Sequence, residues 1–122
     1  MGKHAFILED DYVIGETLQD MLERLGFTSF SFARSEDVAV FGATEQHIDL
    51  ITADVRLLPG DGLKAVEAIC SKRQVPVVFI TGYADELRDR KPGVIVIQKP
   101  IRENELAATV HQAMGESQGL PA

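Results

Sequence analysis

Acidic side chains cluster near the start of the chain, directly after an apolar run. In the stretch LEDDYVIG, the acids are Glu9, Asp10 and Asp11, and Asp54 follows a second apolar run later in the chain. Carboxylates brought close together repel one another and raise one another's pKa values unless a cation relieves them. Oxygen ligands in this number suit Mg²⁺, so the sequence implies a divalent metal site.

Two further side chains that could take part in chemistry, the Thr81 hydroxyl and the Lys99 ammonium, also follow apolar runs. Glu9, Asp10 and Asp54 carry three negative charges, which Mg²⁺ and the Lys99 ammonium would together neutralise. A pocket that is neutral in this way can accept an anion.

The elements that must position these residues are visible as apolar runs of strand length. Residues 5–8, 50–53, 77–80 and 94–97 are continuously apolar, as expected for central strands covered on both faces. Residues 27–32, FTSFSF, mix apolar with small polar residues, which predicts a strand with an exposed side or an edge position.

Helical spacing fills the intervals between these runs. Apolar residues recur at spacings of three and four in Ile14 to Leu25, in Val38 and Phe41, in Leu63 to Ile69, and in Leu106 to Met114. Gly26 and Gly115 stand where the first and last of these helices would end. The segment 84–93 is short and polar, so it predicts only a brief fourth helix.

Strands that alternate with helices predict an α/β fold: a doubly wound, five-stranded parallel sheet with helices on both faces. In such a sheet the working residues collect outside the carboxyl ends of the strands, beside the switch in strand order. Glu9 and Asp10 would end the first strand, Asp54 the third and Thr81 the fourth, and Lys99 would follow the fifth. We therefore expect all five at one rim.

Length and charge narrow the function classes. The 122 residues fit a single domain, which we place at residues 1–115, with a disordered tail at residues 116–122. Twelve basic against nineteen acidic residues give a net charge of −7, which argues against direct nucleic acid binding. The chain has no signal peptide pattern and no apolar run approaching the roughly 20 residues of a membrane helix. We expect a cytoplasmic protein that does not engage a membrane.

At these residues the chain resembles the receiver domain of two-component response regulators, which has a flavodoxin-like fold. The resemblance covers nearly the whole sequence: the acidic pair, Asp54, the turn PGDG at 59–62, Thr81 and the Lys-Pro pair at 99–100. Each motif alone is weak, but five in order on the right elements form a specific pattern. The resemblance implies a phosphoacceptor signalling domain rather than an enzyme, with a histidine kinase or a histidine phosphotransfer protein as its donor. Its signal would pass by conformational change or onward phosphotransfer.

The resemblance also implies a role for each site residue. Asp54 would accept the phosphoryl group, and Thr81 and Lys99 would contact its oxygens. Mg²⁺ would be held by Asp10, Asp54, the backbone carbonyl of Arg56 and, through water, Glu9. The Lys-Pro bond is commonly cis in this family.

The sequence departs from the common receiver pattern in three places. Thr81 and Lys99 are 18 positions apart, fewer than in most members, which predicts a shortened fourth helix. Val96 stands where receivers usually carry an aromatic residue. Tyr83, two residues after Thr81, resembles the Phe-Ala-Thr-Gly-Tyr motif of a subgroup of stand-alone receivers, with Ile80 in place of Ala.

Two residues beside the site have competing interpretations, and a third has one. Arg56 would either fold over the phosphoryl group and exclude water or point to solvent. Tyr83 would either move inward on phosphorylation or merely cover the sheet end. Asp11 is expected to cap the first helix.

Two other functions stay open at this point. An aspartyl-phosphate phosphatase on a similar scaffold would need a second acid two residues after Asp54, where Arg56 stands, and a guanidinium cannot act as the acid. A pseudo-receiver would only bind a partner, although all the residues for the chemistry are present.

Overall fold

The computed structural model describes residues 2–116 and residue 120, and within that range strands and helices alternate throughout. The elements are β1 (Lys3–Leu8), α1 (Tyr12–Arg24), β2 (Phe27–Ala33), α2 (Glu36–Ala43), β3 (Leu50–Ala53), α3 (Gly62–Cys70), β4 (Val77–Thr81), α4 (Ala84–Arg90), β5 (Val96–Gln98) and α5 (Glu103–Glu116). Neighbouring strands pair in parallel in the order β2-β1-β3-β4-β5. The predicted doubly wound fold is confirmed.

The sheet separates two apolar layers. Helices α2, α3 and α4 cover one face, where Leu63 is buried, and helices α1 and α5 cover the other, where Leu18 and Leu106 are buried. Successive residues of β1 alternate between the layers, with Phe6 in the first and Ile7 in the second. Burial on both faces explains why the central strands read as continuous apolar runs.

Helix α1 is bounded by the signals visible in the sequence. The Asp11 carboxylate accepts hydrogen bonds from the backbone N–H groups of Val13 and Ile14, at 2.9 and 3.1 Å, so the predicted cap is confirmed. Gly26 follows the helix with a φ of 99°, a left-handed conformation that glycine adopts without strain.

The fifth strand differs from the prediction. Residues 94–97 read as a central strand, but β5 has three residues and lies at the edge of the sheet. Helices α4 and α5 contact it from the two faces, and Ile97 is 1% exposed. The apolar run therefore reflects cover by helices rather than a central position. The other edge is β2, as its mixed composition predicted.

Helix α2 forms where expected, and its small residues face the core. Val38 and Phe41 are 55% and 82% exposed, whereas Ala39 and Ala43 are buried. The apolar spacing located the helix, although the two apolar residues that mark it are exposed. The predicted short fourth helix is confirmed, since α4 has seven residues.

The last helix runs one residue past its predicted end, through Gly115 to Glu116. The disorder predicted for residues 116–122 concerns positions that mostly lie outside the described residues, although Leu120 packs against the layer that contains α3. Among the helices that the structure describes, none is long and apolar enough to cross a membrane.

Candidate functional site

Four strands end at one rim, and backbone hydrogen bonds fix the residues that follow them. The Asp54 N–H donates to the Leu8 carbonyl at 2.9 Å, which places the end of β3 beside the end of β1. The Lys99 N–H donates to the Thr81 carbonyl at 2.9 Å, which places the end of β5 beside the end of β4. The register between neighbouring strands therefore brings residues that are distant in sequence to one edge of the sheet.

Three acids meet at this rim. Glu9, Asp10 and Asp54 each offer a carboxylate oxygen, and these oxygens lie within 4.8 Å of one another. Glu9 and Asp54 are only 5% and 7% exposed, and Asp10 is half-buried. A set of three anionic oxygens this close suits a hard divalent cation, so the residues fit the Mg²⁺ that the sequence indicates.

Lys99 is the cation of the site. Its Nζ donates hydrogen bonds to Asp54 Oδ2 at 2.7 Å and to Glu9 Oε1 at 2.9 Å. Burial on its own would lower the pKa of Lys99, but the two carboxylates outweigh burial and raise that pKa above its usual value. Lys99 is therefore held as an ammonium. Its bond to Pro100 is cis, as the resemblance implied.

The pKa of Glu9 is also raised, but for a carboxyl group this disfavours the charged form. Burial raises the pKa of Glu9 and the charge of Asp54 adds to that rise, while hydrogen bonds from Lys99 and from the Asp11 N–H offset it only in part. One ammonium, that of Lys99, is shared by two buried carboxylates. Glu9 is 5% exposed, so its negative charge is unfavourable there despite the contact with Lys99.

Asp11 and Arg34 lie beside the three acids, but neither side chain belongs to the group that could hold a metal. The Asp11 side chain caps α1, and its backbone N–H donates to Glu9 Oε2 at 3.0 Å. Arg34 Nη2 donates to the backbone carbonyl of Asp10 at 3.1 Å. Sequence reasoning missed Arg34 because nothing local marks a contact between the end of β2 and the end of β1.

The chain turns tightly after Asp54. The Arg56 N–H donates to Asp54 Oδ1 at 3.2 Å, and the Gly62 N–H donates to the Val55 carbonyl at 2.7 Å. A Cβ at Gly62 would lie 1.7 Å from the Asp54 carbonyl oxygen, so only glycine fits there. The PGDG stretch read as a turn into α3, and Asp61 indeed caps that helix. The close approach of Gly62 was not foreseen.

The loop after β4 is held by two side chains. Thr81 is fully buried, and its Oγ1 accepts a hydrogen bond from the Tyr83 N–H at 3.2 Å. Gln98 accepts from the Ala84 N–H at 3.1 Å and donates to the Gly82 carbonyl at 3.0 Å. Sequence reasoning missed Gln98, and the only available signal was its place directly before the Lys-Pro pair.

Arg56 joins the loop after β3 to helix α4. Its guanidinium carbon lies 3.6 Å from the centroid of the Tyr83 ring, and its Nη2 donates to Glu86 Oε2 at 3.3 Å. The side chain of Arg56 is 60% exposed, and the Tyr83 residue is 44% exposed. The guanidinium therefore lies on an aromatic ring at the rim of the site and is neither fully solvated nor bonded to the three acids.

Comparison with known proteins identifies relatives over almost the whole chain. The response regulator receiver domain family matches residues 5–111. The phyllosphere-induced regulator PhyR of Methylorubrum extorquens is 33% identical over 118 residues, which are 93% of this chain and 44% of that protein. The transcriptional regulatory protein PdtaR of Mycobacterium tuberculosis is 27% identical over 124 residues, which are 98% of this chain and 60% of that protein. The chain thus spans only part of the length of these relatives.

Solved receiver domain structures match the fold over nearly the whole chain. The receiver domain of PhyR from Erythrobacter litoralis superposes with a TM-score of 0.85 at 28% identity, covering 99% of this chain and 95% of that one. The receiver domain of a sensor histidine kinase from Pseudomonas aeruginosa PAO1 has a magnesium ion coordinated in its active site cleft. It matches with a TM-score of 0.81 at 26% identity, covering 94% of this chain and 99% of that one.

Proposed function

The chain belongs to the response regulator receiver family, and on that premise we propose that Asp54 accepts a phosphoryl group from a phosphohistidine donor. One observation carries the proposal. The buried Asp54 carboxylate lies 2.7 Å from the Lys99 ammonium and within 4.8 Å of two further acids, at the rim where four strands end. Lys99 can thus counter the charge of an incoming anion, and the acids can hold a cation.

Asp54 is the nucleophile of the transfer. One of its carboxylate oxygens attacks the phosphorus of the donor, a P–O bond forms, the P–N bond of the phosphohistidine breaks, and the leaving imidazole takes a proton from water. Phosphoryl transfer depends mainly on positioning and on neutralising the equatorial oxygens. The Arg56 N–H and the Lys99 ammonium orient the Asp54 carboxylate, and the Thr81 hydroxyl and Lys99 donate to the phosphoryl oxygens.

The acids supply a site for Mg²⁺. Asp10, Asp54 and the backbone carbonyl of Arg56 would hold it, and Glu9 would reach it through water. When bound, the metal offsets the negative charge that the phosphoryl dianion meets at this rim. The magnesium in the Pseudomonas relative supports this assignment.

The output is a change in protein contacts. Arg56 and Tyr83 lie at the rim beside α4. A phosphoryl group that takes a hydrogen bond from the Thr81 hydroxyl can therefore shift the loop that carries Tyr83 and alter the surface there. The donor is a histidine kinase or a histidine phosphotransfer protein. Phosphatase chemistry is disfavoured because a guanidinium, two residues after Asp54, stands where such an enzyme needs an acid.

Phosphotransfer from a panel of autophosphorylated histidine kinases from the source organism tests the proposal. We expect rapid label transfer from at least one kinase in Mg²⁺, and no transfer to Asp54→Asn. Asp11→Asn is the matched control, because it removes a neighbouring charge, keeps an oxygen that can cap α1 and should accept label normally. A pseudo-receiver would accept no label from any donor, and that result would reject the proposal.

A further inference from the structure

An apolar groove runs between α1 and the corner where β2 leads into α2. Its volume is about 510 Å³, and Tyr12, Gly15, Phe32 and Val38 are among the residues that line it. This volume falls in the range of sites that enclose a ligand or the side chains of a partner. Asp54, Thr81 and Lys99 do not line it.

Exposed apolar side chains concentrate around this groove. Seven large apolar side chains are exposed in the described part of the chain, and three of them line it: Tyr12 at 71%, Phe32 at 46% and Val38 at 55%. Phe41, at 82%, lies three residues after Val38 and continues the same exposed face of α2. An apolar patch of this kind on a folded domain marks an interaction surface.

Gly15 keeps the floor of the groove open. A glycine inside a helix costs about 0.5–1 kcal/mol relative to alanine. A Cβ at Gly15 would lie 3.7 Å from the Phe32 ring, an ordinary van der Waals distance, so neither neighbouring atoms nor backbone conformation requires glycine here. A longer side chain would instead project into the groove and fill it.

The charges around the groove indicate what occupies it. Two exposed acids, Asp11 and Glu16, line it, and the buried Glu9 is paired with Lys99. The one cation among the lining residues is Arg34, whose Nη2 is bonded to the Asp10 carbonyl. A second copy of the chain is disfavoured, because a two-fold interface would place this acidic rim against itself. The acidic rim and the net charge of −7 favour a cationic partner.

We propose that this groove, lined by Tyr12, Gly15, Phe32 and Val38, binds an amphipathic helix of a protein partner. The helix inserts apolar side chains at i, i+3, i+4 and i+7 spacing over Gly15 and Val38, and its flanking Lys or Arg residues face Asp11 and Glu16. The inference goes beyond phosphoryl acceptance and does not depend on it.

Selection from a displayed library of helical peptides tests the proposal. The target is the unphosphorylated protein, and both charge and apolar spacing are left random in the library. We expect binders with the apolar spacing above and an excess of Lys and Arg, and their affinity should fall with salt. Amide shifts of the labelled protein should map the strongest binder to Gly15, Phe32 and Val38.

Two substitutions at one position provide the matched comparison. Gly15→Leu fills the groove and should weaken the selected peptide by about tenfold or more, whereas Gly15→Ala should bind like the wild type. If Gly15→Leu does not fold, the double variant Val38→Asp, Phe41→Asp removes exposed apolar surface and should have the same effect.

Several outcomes would overturn the proposal. They are the failure to enrich any binder, the enrichment of acidic or non-helical peptides, and binding that Gly15→Leu leaves unchanged. Sedimentation equilibrium would assign the groove to a second copy if it showed a dimer that Gly15→Leu disrupts.

Discussion

The guanidinium of Arg56 stacks on the ring of Tyr83, with 3.6 Å between its central carbon and the ring centroid. Arg56 is two residues after Asp54, and Tyr83 is two residues after Thr81. The stack therefore joins the loop behind the proposed acceptor to the loop behind the proposed phosphoryl-binding hydroxyl. A displacement of either loop must break this contact or carry the other loop with it.

Tyr83 should report the phosphorylated state. The chain has no Trp and two Tyr, so in a Tyr12→Phe variant the tyrosine emission belongs to Tyr83. Mg²⁺ with beryllofluoride, a phosphoryl mimic, should change the emission or its quenching by iodide, because the Thr81 hydroxyl that now accepts from the Tyr83 N–H would turn to the mimic.

The matched control for that measurement is Thr81→Val, which keeps the branched shape at a fully buried position and removes the hydroxyl. We expect the emission change to vanish in this variant. Emission and quenching that stay constant at saturating mimic in the Tyr12→Phe protein would show that the signal leaves by another route.

Arg56→Ala should shorten the lifetime of the aspartyl phosphate severalfold. The guanidinium sits at the rim of the site, and hydrolysis needs a water in line with the leaving oxygen, so its removal opens a path for water. Loss of label over time in the purified phosphoprotein measures the effect. Glu86→Gln, which removes the ion pair and leaves the stack on Tyr83, should have a smaller effect, and a lifetime that Arg56→Ala leaves equal or longer would argue against shielding.

Glu9→Gln should stabilise the metal-free protein at pH 7. The pKa of Glu9 is raised in the folded state, so its contribution to stability is fully present below the unfolded value of 4.5 and is lost as pH rises through the folded pKa. At pH 7 the buried charge is therefore unfavourable, and a neutral amide of the same shape removes it. We expect Tm to rise by a few degrees in EDTA and the advantage to shrink below pH 4.5. An unchanged or lower Tm at pH 7 would contradict an unfavourable buried charge at Glu9.

Mg²⁺ should raise the Tm of the wild type through Asp10 and not through Asp11. A ligand that binds only the folded state at a hundredfold excess over its Kd stabilises it by about 2.7 kcal/mol. Asp10→Asn should lose most of this gain, whereas Asp11→Asn, which can still cap α1, should keep it. An equal rise in Tm with Mg²⁺ in both variants would show that Asp10 is not a metal ligand.

The sequence was sufficient to predict the fold and the place of the site residues, for a physical reason. Strands buried on both faces appear as contiguous apolar runs, and parallel strands present their following residues at one rim. The positions of Glu9, Asp54 and Lys99 could therefore be inferred from short local patterns.

Features that depend on long-range packing could not be predicted in the same way. The contacts of Gln98 and Arg34 arise from strand register, and the closeness of Gly62 to the Asp54 carbonyl arises from the path of a loop. Apolar content likewise did not distinguish the buried from the exposed face of α2, where Val38 and Phe41 point outward. Spacing identifies a helix, but only its neighbours decide which side they cover.

The intact mass of the protein after incubation with acetyl phosphate and Mg²⁺ tests the acceptor role of Asp54 most directly. We predict the addition of one phosphoryl group to the wild type and to Asp11→Asn, and none to Asp54→Asn or to the wild type in EDTA. An Asp54→Asn protein that gains the same mass, or labelling that survives EDTA, would contradict a magnesium-dependent acceptor at Asp54.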